Sequence, residues 1–136
     1  MKIFNEVADE ALRAMKQRAE ELNIKGVAVV AGSEGDRVQS WSSKMLVVGA
    51  LKKGPSGDDP GMNLLAIVYS KAAEMADSLK ASGSGMRPPL KGEFGWSGGV
   101  ITRGKTGYLI AAFSGGSSAD DVKAAQAGLD ILAATL

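Results

Sequence analysis

The stretch Gly92-Glu-Phe-Gly-Trp-Ser-Gly-Gly-Val-Ile-Thr-Arg-Gly-Lys-Thr-Gly-Tyr-Leu-Ile-Ala-Ala-Phe-Ser-Gly-Gly-Ser-Ser-Ala-Asp-Asp-Val122 decides the fold. Two apolar runs, Val100–Thr102 and Tyr108–Phe113, flank a short turn bounded by Gly104 and Gly107. Apolar, β-branched runs separated by a Gly-bearing turn predict a β-hairpin. A Gly115-Gly-Ser-Ser118 loop follows and leads into a last helix.

The same stretch carries a competing pattern. Gly99-Val-Ile-Thr-Arg-Gly104-Lys105-Thr106 fits the spacing G-x-x-x-x-G-K-[ST] of nucleotide-binding loops. That chemistry needs a preceding strand, loop amides around the phosphates and a helix opening at the Lys-Thr pair. Here Val100 and Ile101 fill the would-be loop, and both favour strand. The residues after Thr106 are Gly-Tyr-Leu-Ile, which do not start a helix. The pattern is therefore read as a hairpin turn carrying an exposed Arg103 and Lys105.

Composition narrows the chemistry. A chain of 136 residues is read as one domain, 1–136, with a real core. Sixteen basic residues nearly balance fifteen acidic ones, so no nucleic-acid surface is expected. There is no Cys and no His. Thiolate chemistry, the commonest metal ligand and the usual neutral-pH general base are all removed. Glu6, Asp9 and Glu10 read as a solvated helix start, because a strong hard-cation site collects more oxygens than one helical turn offers. No metal site is assigned. No run approaches the roughly 20 apolar residues that span a bilayer, and the N-terminus lacks the apolar stretch of a secretion signal. The expectation is a soluble cytoplasmic protein without a membrane partner.

The other elements follow from periodicity. Phe4, Val7, Ala8, Ala11, Leu12, Met15, Ala19 and Leu22 recur at steps of three and four and predict a helix over about Ile3–Leu22. Gly26–Ala31 is a continuous Val/Ala strand, and a second strand runs from about Val38 to Val48. Leu51–Gly61 is a loop in which Asp59-Pro60 offers a helix cap followed by Pro. Helix 2 is expected from there, or from Asn63, to about Leu79. Ala81–Leu90 is irregular because of its Pro pair. Ser118 is expected to cap helix 3, with Asp121 three residues on in a near-relative of the capping box. Val122, Ala125, Leu129, Leu132 and Leu136 should face inward. Hairpin-linked strands imply an antiparallel sheet and an α+β fold. One sheet face has no helix assigned to it, and Trp41 with the apolar half of strand 2 is placed there. A bare apolar face meets a partner, so a homo-oligomer is expected.

Three stretches resemble the GlcG/HbpS family, also called the haem-degrading domain family, which includes the C-terminal domain of PduO-type proteins. They are Val27-Ala-Val-Val-Ala-Gly, Leu64-Leu-Ala-Ile-Val-Tyr-Ser-Lys-Ala-Ala, and Gly98-Gly-Val-Ile-Thr through Ala112-Phe-Ser-Gly-Gly-Ser-Ser-Ala-Asp-Asp-Val to Ala125-Gln-Ala-Gly-Leu. The resemblance implies a profilin-like antiparallel sheet of about five strands with three main helices. It implies assembly into dimers or octamers. It also implies haem, a related tetrapyrrole or iron as a ligand in some members, and a place in glycolate or diol utilisation for others. No catalytic residue set comes with it, so whether the chain is an enzyme stays open.

The family's haem iron is typically held by His, which this chain lacks. An axial ligand would have to be Tyr, Met, Lys or an exogenous molecule. Tyr69, Tyr108, Met45, Met62 and Met75 are the arithmetic candidates, and Tyr69 and Met45 are retained. Each also reads as core filler or as a ring with its hydroxyl at a surface. Gly115, Gly116, Ser117 and Ser118 are the candidate ligand-binding residues, since amides at a helix start suit a carboxylate or phosphate. In the competing reading Ser118 and Asp121 satisfy those amides themselves. The expected function is an oligomeric small-molecule-binding protein of the GlcG/HbpS type. The alternatives are an accessory protein or enzyme of small organic acid or diol metabolism, or a purely structural assembly domain.

Overall fold

The computed structural model describes residues 3–36 and 39–136. Helix α1 spans Phe4–Glu21, and strands β1 (Gly26–Ser33) and β2 (Trp41–Val48) follow. Two-residue strands β3 (Lys52–Lys53) and β4 (Met62–Asn63) lead into α2 (Leu64–Ser78). Strands β5 (Gly99–Arg103) and β6 (Tyr108–Ser114) precede α3 (Ser118–Thr135). The predicted start of strand 2 at Val38 lies outside the described residues.

The main sheet has the order β2-β1-β6-β5, and every pair in it is antiparallel. β3 and β4 form a separate ribbon. The expected α+β architecture holds, with the strands divided four and two. The hairpin is real: Gly104 N–H donates to the Gly107 carbonyl at 2.6 Å, and Lys105 and Thr106 sit in the turn between β5 and β6. No helix opens there, so the nucleotide-loop spacing is a coincidence of composition.

β1 is buried on both faces, as its unbroken Val/Ala run requires. Its side chains alternate. Ala28 and Val30 join Ala111 and Phe113 beneath α1 and α3. Val27, Val29 and Ala31 join Ile110 and Ala112 beneath α2. The expectation of a bare sheet face is thereby corrected, because α2 covers the face opposite α1 and α3. The stripe of α2 lies on the sheet rather than beside its sister helices. What stays open on that side is the outer flank of β2, where Trp41 and Val47 are 38% and 41% exposed.

At the helix boundaries the Asn63 alternative holds for α2, and the Ser118 cap of α3 is corrected. α2 begins after Pro60, with the Asn63 side chain accepting from the Ala66 amide at 3.1 Å. Asp59 instead closes a local turn onto the Gly61 amide. α3 is capped by Ser117, whose hydroxyl accepts from the Asp120 amide at 3.2 Å, so Ser118 is already helical. Ala125, Leu129 and Leu132 face inward as expected, Ala124 and Gly128 join them, and Val122 and Leu136 are only half-buried. At Gly128 a side chain would strike Met15 of α1, so the two helices cross in close contact. Asp9, from the acidic start of α1, pairs with Lys44 at 2.7 Å across an exposed surface. No helix among the described residues is long and apolar enough to cross a membrane.

Candidate functional site

The deviation of Asp121 from the expected cap exposes the site. Its Oδ1 accepts from the Gly116 amide at 2.8 Å, and its Oδ2 lies 3.3 Å from Lys71 Nζ. Lys71 reaches it from α2, past the end of β6. Its Nζ also donates to the Phe113 carbonyl at 2.7 Å. Both side chains are almost fully buried, at 4% and 6% exposure. Burial pushes the Lys71 amine below its ordinary range, against the opposing pull of Asp121. Burial likewise pushes the Asp121 carboxyl up, while Lys71 and the Gly116 amide hold it down.

Backbone geometry makes room for the amine. Gly98 adopts φ +127, and a Cβ there would collide with Lys71 Nζ and the Phe113 carbonyl. Only Gly provides both that conformation and that space. Its carbonyl accepts from the Phe113 amide at 2.9 Å and so fixes the strand end against which Lys71 bonds.

A cleft of about 110 Å³ opens beside the pair, lined by Lys53, Lys71, Ser114, Gly115, Gly116 and Asp121 among others. Ser114 continues the alternation of Ile110 and Ala112, so it faces α2. Its Oγ is buried and has no hydrogen-bond partner among the described residues. A buried hydroxyl left without a partner costs about 1–3 kcal/mol, and a ligand group is the natural partner for one that lines a cleft. Trp96, 43% exposed, stands at the cleft and stacks on Phe94 with ring centroids 4.7 Å apart.

Gly115, Gly116 and Ser118, three of the four predicted ligand-binding residues, line this cleft. Ser117 is spent on the helix cap. The Gly116 amide is already held by Asp121, as the competing reading required of that residue. Lys71, Lys53, Ser114 and Trp96 were not singled out from the sequence. One signal was available for Lys71: it lies three residues after Val68 and four after Ile67, inside the apolar stripe of α2, where a charge needs a partner.

Of the axial-ligand candidates Met62 lines the cleft, but the two retained ones lie elsewhere. Tyr69 and Met45 are half-buried between α2 and β2, and the Tyr69 hydroxyl is 3.1 Å from Ser43 Oγ. Neither lines the cleft. A second cavity, of about 580 Å³, lies at the opposite end of the sheet among Phe4, Glu34, Lys105, Leu109 and Leu136. Neither Tyr69 nor Met45 lines it either.

No family model matches the sequence, and no curated protein matches it either. Solved structures do. The crystal structure of Klebsiella pneumoniae protein ORFY, a DUF336 protein, aligns with a TM-score of 0.65 at 16% identity, covering 98% of this chain and 92% of that one. A crystal structure of a PduOC:haem complex aligns with a TM-score of 0.66 at 17% identity, covering 96% of this chain and 95% of that one. This chain has their fold. The likeness covers nearly all of this chain, which agrees with the α+β architecture expected from the sequence.

Proposed function

We propose that the chain is a small-molecule-binding protein of the GlcG/HbpS type, and that its ligand is a small organic acid held in the Lys71–Asp121 cleft. The observation that carries this is the unpartnered Ser114 hydroxyl beside the buried Lys71–Asp121 pair, with the exposed Lys53 at the same cleft. Lys53 and Lys71 against Asp121 leave the lining one positive charge in excess. A carboxylate supplies the missing charge and an acceptor for Ser114. Size agrees: an apolar cavity of about 150 Å³ takes a benzene ring, so 110 Å³ suits a few heavy atoms.

The test is a thermal-shift and calorimetric titration with small carboxylates, such as lactate and propionate. The expected result is saturable stabilisation that Ser118→Asp abolishes. Ser118 is exposed, so a charge there leaves the fold intact while opposing an anion in the cleft. Equal affinity in that variant would remove the cleft from consideration.

A second reading, haem, is favoured by the likeness to the PduOC:haem complex. The 110 Å³ cleft does not fit a tetrapyrrole, and the larger cavity offers Lys105 but no Tyr or Met on its wall among the described residues. Haem bound through Tyr69 or Met45 would sit on the open flank of β2 and need a second copy of the chain to cover it. That flank, with Trp41 and Val47, is also the surface on which we place a homo-oligomer, a dimer or octamer. A Soret band that appears only in a multimeric fraction, by light scattering, supports this reading. A band unchanged in the Tyr69→Phe, Met45→Leu double variant rejects those ligands.

A further inference from the structure

Among the described residues Lys71 Nζ has two acceptors, the Phe113 carbonyl at 2.7 Å and Asp121 Oδ2 at 3.3 Å. A neutral amine has two hydrogens and one lone pair, whereas an ammonium has three hydrogens and no lone pair. Two acceptors therefore satisfy the amine completely. They leave one hydrogen of the ammonium over. When the ammonium gives up that third hydrogen, a lone pair takes its place, and the cleft that Lys71 lines is where it becomes available. The same cleft holds a carboxyl within proton-transfer reach, an unpartnered hydroxyl and a second lysine, Lys53. An amine nucleophile, an acid–base partner and a cationic group for a carboxylate are the parts of an imine-forming site.

We infer that Lys71 forms an imine with the carbonyl carbon of a small 2-oxo acid, with Asp121 carrying the protons and Lys53 and Ser114 holding the acid. This rests on the reading of the cleft as an organic-acid site and adds a covalent step to it. The Nζ lone pair adds to C2 of the acid, and the electron pair of the C2–O π bond moves to oxygen. One proton passes from nitrogen to that oxygen by way of Asp121, which gives a carbinolamine. A second proton follows the same route, the C–O bond breaks, water leaves and the C=N bond forms. Amine and ketone become imine and water, and nothing is oxidised or reduced. Burial favours the reaction, because it pushes the Lys71 amine below its ordinary range and so toward the free base, against the pull of Asp121.

The experiment is reductive trapping of the whole chain with pyruvate and cyanoborohydride at pH 7, read by intact mass and by a peptide map. The expected result is a single dominant adduct at Lys71, labelled faster than any other lysine. Lactate, which has no carbonyl at C2, should protect it. Lys71→Arg should lose the dominant adduct, and Asp121→Asn should slow its formation and flatten its pH profile. The wild-type peptide map decides the matter even if a variant fails to fold. If lactate stabilises the protein but Lys71 is labelled no faster than the surface lysines, the imine is overturned and the acid-binding site stands. If lactate neither stabilises nor protects and Lys71 is not labelled, both fall.

Discussion

Two ion clusters meet at α2, and they are built on opposite principles. Lys71–Asp121 is sealed, at 4% and 6% exposure, and joins α2 to α3 across the end of the sheet. Arg87 forms the other. It reaches Glu93 through Nη1 at 2.7 Å and Asp77 through Nη2 at 2.5 Å, with Asp77 62% exposed. The second cluster is a forked guanidinium between two carboxylates, the geometry in which Arg excels. Its bonds close one loop onto the end of α2. The sealed pair is poorer as a salt bridge, with a longer N–O distance and strong desolvation. A buried pair is weak evidence for stability. The sealed pair is better understood as a reactive group held in place, and the Arg87 cluster as a clamp.

The contrast is broken most forcefully by removing one member of the sealed pair. Lys71→Met should destabilise the protein by about 3–5 kcal/mol, because Asp121 is left buried without a counter-ion. The double variant Lys71→Met, Asp121→Leu should recover most of that loss. Urea denaturation of the three proteins checks it. A double variant as unstable as the single one would make the pair a structural requirement and weaken its reading as a site.

Gly98→Ala comes next. The positive φ alone costs about 1–3 kcal/mol with a side chain. The added Cβ also displaces the Lys71 amine from the Phe113 carbonyl. Stability by denaturation and the pyruvate adduct at Lys71 should therefore fall together. A stable variant that still traps pyruvate normally would show that Gly98 does not position the amine.

The difference between the clusters also explains what could be read from the sequence. The helices, the hairpin and the antiparallel sheet follow from local patterns: the stripe of α1, the Val/Ala run of β1, the Gly-bounded turn at 104–107. None of these needs knowledge of distant partners. The site does. Lys71 and Asp121 are 50 residues apart in the chain, and only the placement of α2 on the opposite sheet face brings them together. With that face thought bare, Lys71 had no reason to be buried. The recognisable spacing at Gly99–Thr106 led nowhere, while Gly115–Ser118, which has no motif, leads into the cleft. One residue of register at the α3 cap separated Asp121 the capping residue from Asp121 the partner of Lys71.

The smallest effect is expected at the clamp, and it is local. Hydrogen bonds from Arg87, and from the Leu90 amide, hold the Glu93 carboxyl at about 2, below its ordinary 4.5. A depressed folded-state value means the unfolded chain binds the proton more readily. The clamp's contribution is therefore present above about pH 4.5 and is lost as the pH falls toward 2. Glu93 neighbours the stacked Phe94–Trp96 pair, so release should change Trp96 fluorescence. In a Trp41→Phe background, which leaves Trp96 as the single tryptophan, that change should have a midpoint near 2. Arg87→Gln should move the midpoint up toward 4.5 without altering pyruvate trapping at Lys71 at neutral pH. A wild-type midpoint already at 4.5 would mean that the fork does not hold Glu93. A loss of trapping in Arg87→Gln would instead couple the two clusters, and Trp96, which lines the cleft and stacks on the loop, is the residue through which that coupling would run.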